Sequence, residues 1–308
     1  MPYFSIIVPV FNKEKFVSKT IESILQQSFQ EYEIIIINDG STDESEKKIN
    51  QFKDKRIRYY KTENQGVAKS RNFGISLSTA DYICFLDADD YWFPNFLERF
   101  HFYSNQFKTE KVFACAIEIE TKSKILPAFY SVKIIKEFEI VNFFKASKKE
   151  SILWTSSVCI HKDVFDKIGV FDENLKISED IDLWIRIGIN YKILFINSIL
   201  ARYVYDDNSV SRNMNYIFED YFFEKHTANE QKLPELKSYQ DLNRFSSIIK
   251  YKVCGNYVKA NELKNNIDLK GLEFKKRILL NLPETILIFL IRMKQFLAGI
   301  GLSKSVFR

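Results

Sequence analysis

The first hundred residues alternate short β-branched runs with amphipathic stretches of helix length, and this alternation decides most of what the chain can become. Apolar runs at Ser5–Val10, Glu33–Ile37, Arg56–Tyr60 and Tyr82–Leu86 read as strands. Lys15–Gln27, Asp43–Phe52, Val67–Leu77 and Pro94–Asn105 read as helices. In the first of these, Phe16, Val17, Ile21, Ile24 and Leu25 recur at helical spacing. Strand followed by helix, four times over, predicts right-handed βαβ units and a mostly parallel sheet flanked by helices. The unbroken run Ile34-Ile35-Ile36-Ile37 predicts a strand buried on both faces. Further on, Val112–Glu120, Ser156–His161 and Ile193–Ile196 read as strands and Ile181–Ile189 as a helix, an α+β half fused to the same sheet. Beyond about residue 215 the pattern is helical.

Composition narrows the class. With 308 residues, 46% hydrophobic and 28% charged, the chain is neither disordered nor fibrous. Cys84, Cys115, Cys159 and Cys254 lie far apart, so they are expected to be free thiols in a reducing compartment. Met1-Pro2 precedes a strand-like run with no basic leader, which predicts a cytoplasmic protein. The strongest late apolar run, Ile286–Ile291, is far short of a bilayer span. Residues 1–220 carry 29 basic and 32 acidic side chains; residues 221–308 carry 16 and 8. An acidic body argues against nucleic acid, and a basic tail fits an anionic surface such as the inner face of a membrane.

Open α/β sheets bind ligands at the carboxyl ends of their strands. Here three such ends read Pro9-Val10-Phe11-Asn12, Asn38-Asp39-Gly40-Ser41-Thr42-Asp43 and Asp87-Ala88-Asp89-Asp90. Asp87 and Asp89 repel unless a cation neutralises them, and Mg²⁺ or Mn²⁺ takes oxygen ligands of this kind together with substrate phosphates. A solvated acidic turn is the alternative. Asp39 can accept from a base N–H, although its neighbours also make an ordinary turn and N-cap. No GxGxxG follows the first strand, and there is no P-loop and no GxSxG elbow. Without a glycine-rich phosphate loop, a metal and cations such as Lys69 and Arg71 must handle any diphosphate. Ser178-Glu179-Asp180-Ile181-Asp182-Leu183-Trp184 opens a helix with three acids. Asp180 and Trp184 share a face, and a carboxyl beside an apolar ring suits a general base. Stabilisation by the helix dipole is the other explanation.

VPVFN, NDGSTD, GVAKSRN, DYICFLDADD, GVFDENL and SEDIDLW, in this order, closely resemble family 2 glycosyltransferases with the GT-A fold. The resemblance covers about residues 3–212. It implies an inverting enzyme that moves a sugar from a UDP-sugar to an acceptor hydroxyl, in capsule, O-antigen or lipooligosaccharide assembly. It implies a nucleotide-sugar half over 1–100, an acceptor half over 101–215 and a basic helical extension over 216–308. By matched position, Pro9, Phe11, Asp39 and Arg71 hold the nucleotide. Asp87 touches ribose and metal, and Asp89 ligates Mn²⁺ or Mg²⁺. Asp180 is the general base, and Glu179 and Trp184 shape the acceptor and sugar pocket. Asp206 stands where this family often has a histidine metal ligand, which makes the expected site more negative.

A sugar-nucleotidyltransferase and a non-catalytic nucleotide-sugar-binding protein are the alternatives. The missing activating loop argues against the first, and the presence of both carboxylate sets against the second. In the tail, Lys270, Lys275, Lys276, Arg277, Arg292 and Lys294 bracket Leu279, Leu280, Leu282, Ile286, Leu287, Phe289 and Leu290. Over 271–308 this reads either as an interfacial membrane element serving a lipid-linked saccharide acceptor or as helices packed on the body.

Overall fold

The computed structural model describes residues 1–122, 124–132, 136–205 and 220–299. Ten strands form one sheet. They are β1 (Phe4–Val10), β2 (Tyr32–Asp39), β3 (Ile57–Thr62), β4 (Tyr82–Phe85), β5 (Tyr91–Trp92), β6 (Val112–Glu120), β7 (Ile125–Pro127), β8 (Phe138–Val141), β9 (Val158–His161) and β10 (Ile193–Val204). The order along the sheet is β3-β2-β1-β4-β9-β6-β10-β5, with β7 on β6 and β8 on β10. Pairing is parallel from β3 through β4. Beyond β4 it is mixed, because β9 runs antiparallel to both β4 and β6.

The expected strands and helices of the first half are all present. β10 runs eight residues past the expected end at Ile196. Asn197-Ser198 interrupts the apolar run where the pairing with β6 shifts register, so the strand continues through a bulge that hides it from a pattern search.

Thirteen helices are described: α1 (Val17–Leu25), α2 (Ser45–Ile49), α3 (Val67–Leu77), α4 (Phe96–Gln106), α5 (Phe143–Ala146), α6 (Lys162–Ile168), α7 (Glu179–Asn190), α8 (Asp220–Glu224), α9 (Thr227–Glu230), α10 (Pro234–Val253), α11 (Tyr257–Asn265), α12 (Phe274–Asn281) and α13 (Glu284–Gly299). Side-chain alternation sorts them onto two layers. Ile6, Val8, Ile34 and Ile36 pack with Val17, Ile21 and Ile24 of α1 and with Phe96 and Phe100 of α4. Ile7, Ile83 and Phe85 face the opposite core, with Ala68 of α3, Leu183 and Trp184 of α7 and Leu236 of α10.

β1, β2 and β3 step outward in one direction, and β4 returns to the far side of β1. Right-handed crossovers therefore place α1 on one face and α3 on the other. Between β1 and β4 lies the switch point where the strand ends open a crevice. Pro9 fits there: β4 pairs with β1 only as far as Ile7, so the missing Pro9 N–H costs no hydrogen bond on that side.

The crevice also depends on how closely α3 lies to β1. A Cβ on Gly74 would stand 2.4 Å from Cγ2 of the fully buried Ile7. Alanine improves helix propensity by ~1 kcal/mol, whereas overpacking a filled core costs ~1–3 kcal/mol. An approach of 2.4 Å puts this site in the upper part of that range, at about 2–3 kcal/mol, so Gly74→Ala should lower unfolding stability in urea by about 1–2 kcal/mol net. An unchanged or raised midpoint would mean that α3 shifts freely over Ile7.

Candidate functional site

Two loops at the strand ends are knitted together before any ligand arrives. Asn12, in the left-handed region at φ 51°, accepts from Thr42 N at 2.8 Å through its Oδ1. Its own N–H donates to Ser41 Oγ at 3.1 Å. The N–H of Lys13 donates to Ser45 Oγ at 2.8 Å, and that of Glu14 to Asp43 Oδ2 at 3.0 Å. Gly40 (φ 72°) makes the turn between them, where a Cβ would meet Asn64 N at 2.8 Å. Much of NDGSTD is therefore loop architecture, as its turn chemistry allowed.

Phe11 stands 43% exposed beside this frame, free to stack on a flat ring, while Pro9 is buried in β1. Asp39 is 4% exposed, and its oxygens accept from Gln65 N and Gly66 N, each at 2.9 Å. In this state it pins the loop that leads into α3.

The acidic turn lies just past β4, which ends at Phe85, so Asp87 and Asp89 are arranged by a turn and not by strand alternation. Asp90 N donates to Asp87 O at 2.9 Å, and Thr20 Oγ1 donates to Ala88 O at 2.9 Å and Asp90 O at 2.8 Å. Asp90 is buried, and its carboxylate accepts from Ser156 Oγ at 2.6 Å and Val204 N at 2.9 Å. Burial and the two neighbouring aspartates push it well above the usual carboxylate range. Asp90 is thus the internal anchor of the turn. Asp89 meets Lys13 Nζ at 2.5 Å; burial raises its carboxyl, and Lys13 opposes that rise.

Arg71 ties this turn to α7. Buried at 4% exposure, it donates to Asp87 Oδ1 at 2.8 Å and to Glu179 Oε1 at 2.6 Å, with its guanidinium over the Phe171 ring at 5.2 Å. Lys69, two residues before Arg71 on α3, is exposed. Ser178, at φ 66°, opens α7 in the left-handed conformation and turns Asp180 beside the Arg71 bridge. Asp180 keeps part of its surface open and accepts from its neighbour Ile181 N at 2.7 Å. Desolvation, then the Glu179 charge, push its carboxyl up to about 7, against the pull of Arg71.

The family resemblance implies a place for Glu179 and Trp184 in an acceptor and sugar pocket. The structure turns both inward: Glu179 into the ion pair, and Trp184, at 1% exposure, into the core. Asp182, the third acid, is an anchor. It meets His226 Nε2 and Lys225 Nζ at 2.9 Å each and Arg186 at 2.7 Å. Burial opposes its charge, but these partners hold it well below the usual range. Asp206, expected as a metal ligand, lies outside the described residues.

Among the described residues no group of three or more His, Cys, Asp or Glu side chains gathers to hold a metal. Asp87 and Asp89 alone suit Mg²⁺ or Mn²⁺ that is shared with substrate phosphates. Sequence reasoning missed Lys13, Asp90 and Ser156. Lys13 follows the VPVFN motif directly, so a basic residue at a strand end was the available signal. Ser156 comes from the short turn before β9, distant in sequence, and gave none.

Residues 5–169 match the model of glycosyl transferase family 2. The chain belongs to that family. An uncharacterized glycosyltransferase of Rickettsia typhi is 30% identical over 273 residues, spanning 85% of this chain and 83% of that one. Another, of Methanocaldococcus jannaschii, is 31% identical over 244 residues, spanning 75% and 81%. Among solved structures, S. aureus TarS 1–349 in complex with UDP-GlcNAc superposes with a TM-score of 0.62 at 17% identity, covering 91% of this chain and 79% of that one. Its UDP complex gives 0.60 over 86% and 89%. The transferase therefore has the GT-A type of fold, with the C-terminal helices added to it.

Removing Arg71 would leave two carboxylates facing each other inside the transferase. Arg71→Met should cost about 3–5 kcal/mol in chemical unfolding, the scale for orphaning a buried charge. Adding Glu179→Gln should recover part of that loss. A single variant as stable as the parent would show that the bridge carries no net weight.

Proposed function

We propose that this glycosyltransferase moves a sugar from a UDP-sugar to an acceptor hydroxyl with inversion, in the assembly of a capsule, O-antigen or lipooligosaccharide. The observation that carries the reading is the placement of Asp180 beside a buried Arg71 that grips both Asp87 and Glu179, where burial and the Glu179 charge raise the Asp180 carboxyl to about 7. The TarS complexes with UDP and UDP-GlcNAc support a nucleotide-sugar donor by likeness of fold.

Phe11 stacks on the base, and Asp39 and the loop it pins complete the nucleotide pocket. Asp87 and Asp89 would hold a divalent cation, and that ion would supply positive charge to offset the departing diphosphate. Asp180 takes the proton of the acceptor hydroxyl as that oxygen bonds to the anomeric carbon. The bond from that carbon to the diphosphate oxygen breaks, and UDP leaves with the electron pair. Attack opposite the leaving group inverts the centre.

The extension supports a lipid-linked acceptor. α12 and α13 pack on α10 through Leu280 and Leu287. Their other side exposes Phe274, Ile278, Ile286, Phe289 and Met293 beside Lys275, Arg277 and Arg292. One face thus packs on the body and the other fits an anionic bilayer surface. No helix among the described residues is long and apolar enough to cross a membrane.

Two measurements test this. Asp180→Asn should bind UDP as the parent does and lose about a thousandfold in transfer. In the parent, kcat/KM should rise with pH through about 7 and then level, because the base works deprotonated. Retained transfer, or a profile flat across neutral pH, would remove Asp180 as the base. Separately, Phe274→Asp with Phe289→Asp changes only exposed side chains and should weaken sedimentation with phosphatidylglycerol vesicles. Undiminished sedimentation would exclude this face as the contact.

A further inference from the structure

Within that reading, the cation nearest the acidic turn is already part of the chain. Lys13 Nζ lies 2.5 Å from Asp89 Oδ2, and both side chains are largely withdrawn from solvent, at 22% and 16% exposure. The backbone on either side of this lysine is fixed: its own N–H is held by Ser45 Oγ, and that of Glu14 by Asp43. The side chain therefore reaches Asp89 from a rigid loop. On the other carboxylate of the pair, Arg71 occupies Asp87 Oδ1 at 2.8 Å. Each acid proposed to hold a divalent ion thus has one oxygen on a resident cation before any ion arrives. The two cations differ. Arg71 is buried, shared with Glu179 and unable to leave without exposing two carboxylates. Lys13 is a single flexible ammonium with partial access to the crevice, where the diphosphate of the donor must lie.

We propose that Lys13 is an exchangeable counter-ion. It neutralises Asp89 while the donor site is empty, opposes a divalent cation binding alone, and yields Asp89 when the cation arrives with a nucleotide diphosphate. The diphosphate then balances the released ammonium. Charge arithmetic gives the order of events. A free divalent ion must displace a short ion pair for little return, whereas an ion carried by a diphosphate brings the anion that the lysine needs. This rests on the reading of Asp87 and Asp89 as the metal ligands.

The test is Mn²⁺ binding, followed by the electron paramagnetic resonance signal of free Mn²⁺, with the full chain. Parent, Lys13→Met and Lys13→Arg are compared with and without UDP. Methionine keeps the length of the side chain and removes its charge. Without UDP, Lys13→Met should bind Mn²⁺ about three- to tenfold more tightly than the parent, and Lys13→Arg should match the parent. With Mn²⁺ saturating, Lys13→Met should bind UDP more weakly than the parent. A gain in metal affinity is not something a purely structural role for Lys13 would produce. Equal Mn²⁺ affinity in Lys13→Met and parent, with UDP-dependent Mn²⁺ binding intact, overturns the counter-ion and leaves the metal site standing. Unchanged UDP affinity in Lys13→Met overturns the hand-over to the diphosphate. Absence of Mn²⁺ binding in every protein, even with UDP, overturns the metal reading and the counter-ion with it.

Discussion

A single buried guanidinium joins the turn after β4 to the start of α7. Arg71 extends from α3 between the turn after β4 and the first turn of α7, and it pairs with Asp87, 16 positions on, and with Glu179, 108 positions on. Everything near it presupposes its charge. Asp180 can stand beside Glu179 only because Arg71 offsets the repulsion, and the balance of desolvation and neighbouring charge leaves Asp180 near neutrality. Arg71 in turn is where it is because α3 lies close against β1, where Gly74 leaves no room for a side chain. Packing, ion pairing and proton affinity form one chain of dependence.

The acidic turn shows how a local motif is completed by distant parts. Asp87, Asp89 and Asp90 are three carboxylates in four positions, which on their own would splay into solvent. Each has a different partner from a different element: Arg71 from α3, Lys13 from the loop after β1, and Ser156 with Val204 from the second half. Charge repulsion is thereby shared out among structural contacts, and the chemistry is left to the exposed edges.

Much of this was legible in the sequence, for physical reasons. The βαβ alternation and the four-isoleucine run fix a doubly covered parallel sheet, and the sheet topology then places Pro9, Asp39 and Asp87 at one crevice without further information. Short-range signals served less well where they carried two meanings. Glu179, Asp180 and Asp182 look alike on a helix start, yet one is an ion-pair partner, one has the proton affinity of a base, and one clamps the extension. Only tertiary neighbours separate them. Trp184 has the spacing of a pocket residue and the burial of a core residue, and periodicity cannot tell these apart. Ser156 and Val204 reach Asp90 from more than sixty and a hundred residues away, beyond any local pattern.

The clamp at Asp182 bears on whether this chain divides. α7 carries Asp180 on its open side and, two residues on, a fully buried carboxylate whose partners Lys225 and His226 come from the extension. Phe222, Leu236 and Tyr239 fill the core beneath the same helix. A catalytic unit cut before residue 220 would keep the family motifs whole and leave that carboxylate with Arg186 alone over an opened hydrophobic floor. The point after which the sequence motifs stop is therefore not a boundary at which the structure can be divided.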